Sequence, residues 1–255
     1  MKAIKQVLRM DKEPYRVPKR VQDVIPIKRI WSDGIFLVGN RYAKTFKFTD
    51  INYMVASESA QRKMFLTYAA LVNSLDCGAT TKITVNNRHL NRKNFEESVL
   101  MKLEGDDLDR FRREYNDVIM DKATAGNGII QEKYITISVC KKNIAEARAY
   151  FSRVGSELTA RFAALGAKST EMDATEKLRV LHDFYRSGEE VYFRFDMQDM
   201  MRKGHDFRDY ICPDSIEKHS DYLKLGGKFA RVIYLKDYAS FISDKFVTRL
   251  TDQSR

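Results

Sequence analysis

The spacing of apolar and polar positions changes several times along the chain, and each change marks an element. Residues 35–38 are continuously apolar (Ile35, Phe36, Leu37, Val38), Gly39 and Asn40 supply turn chemistry, and residues 42–48 carry aromatics at 42, 46 and 48. That sequence predicts a β-hairpin. Phe65, Tyr68, Ala69, Val72 and Leu75 then fall at i, i+3, i+4, i+7 and i+10, with Gly78 following. This spacing predicts a helix with that stripe turned to the core. Ile83 and Val85 alternate with polar residues as a short strand. A second helical region is expected from about Asn91, with Phe95, Val99 and Leu103 on one face, a break at Gly105, and a resumption through Leu108, Phe111, Tyr115 and Val118. Gly126-Asn127-Gly128 ends it.

Residues 134–139 alternate again, with Ile135, Ile137 and Val139 on one side, and predict a strand. A long helix follows. Asn143 and Glu146 form a plausible capping pair, Ala147, Phe151, Val154, Leu158, Phe162 and Leu165 form one apolar stripe, and Gly166 stands where the helix should stop. Asp173 with Glu176 opens another helix, with Leu178, Leu181 and Tyr185 inward and Gly188 beyond its end. This order predicts an α+β fold, a small, mostly antiparallel sheet covered by helices on one face. Residues 197–210 fit either helix or irregular chain. Residues 222–225 and 229–235, around Gly226-Gly227, predict a C-terminal hairpin, and residues 238–250 a final amphipathic helix.

Charge divides the chain more sharply than hydropathy does. The sequence holds 45 Lys plus Arg against 35 Asp plus Glu, a net charge of +10. Nine of the basic residues, Lys2, Lys5, Arg9, Lys12, Arg16, Lys19, Arg20, Lys28 and Arg29, lie before residue 30, against three acids, Asp11, Glu13 and Asp23. Pro14, Pro18 and Pro26 disfavour a regular helix there, because each ring fixes φ and removes a donor. Residues 1–29 are therefore expected to be a basic arm and residues 30–255 the folded domain. The nine basic side chains are the candidate contacts to an anionic surface, whether lipid, acidic partner or nucleic acid. The first ten residues have no apolar stretch behind their charges and are not expected to be a signal peptide. The longest apolar runs, residues 35–38 and 69–72, are far below the roughly 20 residues needed to span a bilayer. Cys77, Cys140 and Cys212 form no C-x-x-C pair, which fits a reducing cytoplasm.

The sequence offers little catalytic chemistry. A phosphate-binding P-loop needs G-x-x-x-x-G-K-[ST] after a strand; the nearest string, Gly166-Ala167-Lys168-Ser169-Thr170, lacks the glycines and follows a predicted helix. His205, Cys212 and His219 match no common zinc spacing. His89 and His182 stand near predicted helix ends and are expected at the surface. No catalytic, cofactor-binding or metal-binding residue is predicted, and the chain alone is not expected to be an enzyme. For nucleic acid, the arm and the cluster Arg88, Arg92 and Lys93 are the candidates, without a recognisable RNA- or DNA-binding motif.

Three blocks, in this order and spacing, carry a resemblance. They are Gly34-Ile-Phe-Leu-Val-Gly-Asn-Arg-Tyr-Ala-Lys-Thr-Phe-Lys-Phe-Thr-Asp-Ile-Asn-Tyr53; the strand at 134–139 with the helix ending Phe162-Ala-Ala-Leu-Gly166 and the following Glu176-Lys-Leu-Arg-Val-Leu181; and Tyr222-Leu-Lys-Leu-Gly-Gly-Lys-Phe-Ala-Arg-Val-Ile-Tyr-Leu-Lys-Asp-Tyr238. Together they resemble the N-terminal region of the conjugative type IV secretion ATPases of the TrbE, CagE and VirB type, in the branch found on Gram-positive conjugative elements. In that family a RecA-like motor domain with Walker motifs follows, and ATP and magnesium bind there. Those motifs do not occur in these residues, so the resemblance carries no catalytic or nucleotide-binding residue onto any position and implies no cofactor within this chain. It implies instead a non-catalytic docking and assembly domain. Its expected partners are the inner-membrane components of the secretion channel, with self-association through the full-length ATPase and a cytoplasmic location peripheral to the membrane. The alternative is a nucleic-acid-binding accessory protein of the same transfer system, which would need its positive charge in a stripe across folded surface rather than on an arm.

Overall fold

The predicted hairpin lies at the heart of a six-stranded sheet. The structure is a computed structural model that describes residues 18–51, 53, 55–76, 78–89, 100–125 and 129–234. Its strands are β1 (Ile27–Ile30), β2 (Ile35–Val38), β3 (Arg41–Phe48), β4 (Thr80–His89), β5 (Ile129–Val139) and β6 (Ser169–Glu171). They pair antiparallel throughout in the order β1-β2-β3-β5-β4, with β6 also on β3. β2 pairs with positions 41–44 of β3 and β6 with positions 46–48, so the two short strands share one side of β3 while β5 runs along the other. The helices are α1 (Glu58–Asn73), α2 (Asp109–Ala125), α3 (Ile144–Ala164), α4 (Ala174–Tyr185) and the short α5 (Met197–Lys203). A separate small sheet, β7 (Ile216–Lys218), β8 (Leu223–Leu225) and β9 (Lys228–Ala230), follows.

The main core lies between α3 and the centre of the sheet. Asn143 caps α3 by accepting from the Glu146 amide at 2.9 Å, as the sequence predicts. Ala147, Phe151, Val154, Leu158, Phe162 and Leu165 are all buried against Ile35, Phe46, Ile135, Ile137 and Val139. Phe46 stands directly opposite Ile135 on β5, so alternate residues of both strands present one apolar face to the helix. The close approach depends on Gly155. A Cβ there would lie 2.3 Å from Glu171 Oε1 and 3.1 Å from the Phe46 ring. Glu171 needs that space because it ion-pairs with Lys44, a lysine turned into the same buried layer.

At the β1–β2 end the opposite face of the sheet carries a second cluster. Ile27 and Phe36 pack with Leu178 of α4 and with Phe193, Phe207, Ile211 and Cys212 from the irregular chain beyond it. Asp173 opens α4 with a full capping box to Glu176, again as predicted. This cluster corrects the expected boundary at residue 30. Val21–Val24 form a 3-10 turn, Ile25 and Ile27 are buried, and β1 starts at Ile27. The chain is therefore part of the core from about residue 21, because β1 supplies an apolar position that β2 and α4 bury. Residues 1–17 lie outside the described residues.

Other differences have equally local causes. α1 forms as predicted, but its buried residue is Leu71, with Met64 and Leu75 packed against the core, while Phe65, Tyr68 and Val72 of the expected inward stripe face solvent. α1 is apolar on more than one side, and periodicity does not choose between them. β4 and β5 extend well beyond 83–85 and 134–139, since each supplies the other's hydrogen bonds along ten paired positions. His182, expected at the surface, is buried with its ring 5.1 Å from that of Phe193. The helix expected from about Asn91 through Leu103 is absent over residues 100–104, which form irregular chain, and its earlier part lies outside the described residues, as does the helix expected over 238–250.

Two consequences can be measured. Gly155→Ala, which would favour an isolated helix, is expected to lower stability here by roughly 1–2 kcal/mol, because Glu171 must swing away and leave the buried Lys44 unpaired. Urea unfolding decides the sign, and a gain in stability would show that Glu171 leaves without cost. Lys177 on α4 is pushed down to about 8 from an ordinary 10.5, by burial first and by the charge of Lys82 second. Below pH 8 the lysine is charged in both the folded and unfolded chain. Between pH 8 and 10.5 only the unfolded chain holds the proton, so stability should rise with pH across that window. Lys177→Met should flatten that rise and stabilise the protein at pH 7 by roughly 1–3 kcal/mol.

Candidate interaction surface

Among the apolar residues that the core does not take up, one group lies on α1 and β4. α1 starts at Ser57, whose side chain caps the Ala60 amide, and is anchored through Leu71 in the core cluster that α3 also lines. Between α1 and the sheet runs a groove of about 310 Å³ lined by Phe48, Met64, Phe65, Tyr68, Ile83 and Phe162. At its floor Phe48 stacks on Phe162 with ring centroids 5.0 Å apart, and Thr49 donates its backbone N–H to the Lys168 carbonyl while its side-chain oxygen accepts from the Lys168 amide. Ion pairs between Lys133 and Asp50 and between Lys47 and Glu132 lie on neighbouring strand and loop positions. Phe65 is 63% exposed, and Ile83 and Val85 of β4 are 48% and 40% exposed. The outer side of α1 adds Leu66 flanked by Arg62, Lys63 and Arg161, so the apolar surface has a basic margin.

α2 presents a second apolar stripe to solvent. Leu108, Phe111, Tyr115 and Val118 fall at helical spacing, as the sequence predicts, yet all four are exposed. The polar side of α2 is occupied in tying down the preceding loop. Arg112 donates to Asp106, Asp109 and Glu104, Asp109 accepts from the Glu104 and Gly105 amides at 3.0 and 2.8 Å, and Asn116 exchanges two bonds with the Met101 backbone. Hydrogen bonds from Arg112 hold the Asp106 and Asp109 carboxyls below the ordinary carboxylate range. This knot fixes which side of the helix faces outward.

The candidate residues of the basic arm are divided. Lys19 and Arg20 are exposed ahead of the 3-10 turn, and Lys28 and Arg29 are exposed on β1, where the Arg29 guanidinium lies 5.8 Å from the Trp31 ring centroid. Lys2, Lys5, Arg9, Lys12 and Arg16 lie outside the described residues. Of the cluster Arg88, Arg92 and Lys93, only the backbone of Arg88 is described, near the end of β4. His205 and His219 are exposed whereas Cys212 is buried, its thiol pushed up to about 11 chiefly by that burial. Among the described residues no group of three His, Cys, Asp or Glu could hold a metal ion, and no helix is long and apolar enough to cross a membrane. The string Gly166–Thr170 is a helix stop followed by the start of β6, with Gly166 at φ 80°. Sequence reading missed the exposed face of α1, although the surplus of Met64, Phe65, Leu66, Tyr68, Leu71 and Val72 over a single stripe was the signal for it.

Comparison with protein-family models gives no match, and comparison with characterised proteins gives none either.

Because Phe65 is mostly exposed, Phe65→Ser is expected to change stability by less than about 0.5 kcal/mol. It should nevertheless reduce the fluorescence of an environment-sensitive apolar dye bound at the groove. Unchanged dye binding would exclude the groove as an accessible apolar site.

Proposed function

We propose that this chain is a non-catalytic docking and assembly domain of a conjugative type IV secretion ATPase, held at the inner face of the membrane through the channel's inner-membrane components. The observation that carries the reading is the apolar side chain left facing solvent on α1, β4 and α2. Isolated soluble domains rarely leave large exposed apolar patches, and such patches are a mark of protein contact sites. The order of the three sequence blocks supplies the family to which the reading belongs, and the motor activity of that family stays with the Walker-containing domain that these residues do not include.

The chemistry of the surface favours a protein partner over nucleic acid. A partner that presents apolar residues flanked by acids would satisfy both the groove and Arg62 and Lys63 on the outer side of α1. The basic residues of positions 1–17 then add attraction to an anionic surface, worth about 1 kcal/mol for each that reaches it and weakened by salt.

Pull-down of the inner-membrane channel components and flotation with anionic liposomes, each at low and high salt, test the proposal. The full chain should retain the components at both salt concentrations through the apolar surface. Deleting residues 1–17 should weaken liposome flotation at low salt only, and a Phe65→Ser, Phe111→Ser variant should lose the components. Retention of the components by that variant would overturn the docking role of this surface. Equal flotation with and without residues 1–17 would overturn the role of the basic segment.

A further inference from the structure

The two edges of the main sheet are built differently. β1, at one edge, has four residues, shifts register between Ile27 and Arg29, and is backed by the second core. These are the devices by which proteins keep a sheet edge from pairing further. β4, at the other edge, runs for ten residues with no proline and no register shift against β5. Among the described residues no strand pairs with its outer side. Its odd positions face the same way as the α1 groove, because Ile83 stands opposite Ile135 and Thr81 opposite Ile137, both core residues. The β4 backbone left unpaired among the described residues therefore adjoins the exposed apolar side chains Ile83 and Val85, with Phe65 and Tyr68 across the groove.

We infer that β4 pairs antiparallel with β4 of a second copy of this chain, about a two-fold axis perpendicular to the sheet at Thr84. Directly opposed residues in a continuous sheet share a face, so in such a pair odd positions must meet odd positions. Within that restriction, the register centred on Thr84 sets Ile83 against Val85 of the second copy, twice by symmetry. It sets Lys82 against Asn86 and Thr81 against Asn87. A shift by two residues one way leaves Ile83 opposite Asn87, and a shift by four the other way sets Lys82 against Lys82. The Thr84 register is the one that matches both apolar residues of the edge and avoids like charges.

The area agrees with this occupant. With about 150–250 Å² for a whole aromatic side chain, the exposed parts of Phe65, Tyr68, Ile83 and Val85 amount to roughly 350 Å² per copy. Apolar atoms make up about 56–65% of an interface, so two copies would bury roughly 1,100–1,300 Å² in total. That reaches the lower end of the range of about 1,200–2,000 Å² for specific complexes. Because the axis is perpendicular to the sheet, both α1 helices lie on the same side and their exposed residues approach one another across it. A self-complementary patch of this kind closes on itself and gives a dimer rather than a filament.

Sedimentation equilibrium of the full chain from 1 to 100 µM tests the pairing. The expected result is a dimer that the double variant Ile83→Lys, Val85→Lys weakens by at least 100-fold while its circular dichroism stays unchanged. In a chain carrying Cys77→Ser and Cys140→Ser, Thr84→Cys should form a disulfide-linked dimer on oxidation and Thr80→Cys should not. A chain that stays monomeric at 100 µM overturns the inference, as does a dimer that the double lysine variant leaves intact. Amides of β4 that become protected from exchange only when the inner-membrane channel components are added would assign the edge to that partner and overturn the second copy. Such a dimer covers the Phe65 side of α1, so it goes beyond the docking reading, competes with it for that side and leaves the α2 stripe free. The lysine variant tests self-pairing, whereas retention of the channel components tests docking, so either can fail while the other stands.

Discussion

The contact between α3 and the β3–β5 strands sets the position of everything else in this protein. One helix face, Phe151, Leu158 and Phe162, closes over Phe46, Ile135 and Ile137, and the layer is thin because Gly155 lets the helix backbone approach Glu171 and Phe46. Glu171 belongs to β6, whose place beside β3 brings it to Lys44. The end of α3 also supplies Phe162 and Leu165 to the groove under α1. Buried packing at one end of the helix thus becomes the floor of an exposed site at the other.

The same contact explains which apolar residues remain outside. α1 can place only one of its apolar sides on α3, and the side chosen is that of Leu71, Met64 and Leu75. Phe65, Tyr68 and Val72 are left exposed, the first two beside Ile83 of β4. α2 meets a comparable limit from the opposite cause. Arg112 and Asn116 bind its polar side to the loop before it, and its apolar stripe is left exposed. The exposed apolar surface is a product of two helices whose inward faces are already assigned.

Most of the elements are legible in the sequence. The capped starts at Asn143 and Asp173, the stop at Gly166, the hairpin around Gly39-Asn40 and the buried stripe of α3 all appear where local chemistry puts them. These features depend on residues within a turn or two of one another, and near neighbours in sequence are sufficient to fix them. The lengths of β4 and β5, the existence of β6 and the entry of residues 21–29 into the core depend on hydrogen-bond and packing partners tens to more than a hundred residues away. Alternation and charge near Ile27 could not show that Leu178 would cover it.

The candidate surface divides along the same line. The sequence by itself determined that apolar residues were in surplus on α1 and striped on α2, and that positive charge was concentrated near the start. Only the tertiary structure decided that β4 would be an edge, that Ile83 and Val85 would lie beside Phe65 and Tyr68, and which side of α1 would be free. Local propensity and spacing select helix or strand within a few residues. The choice of face and the existence of an edge follow from which distant segments compete for the same buried area, and that competition is resolved only when the chain closes on itself.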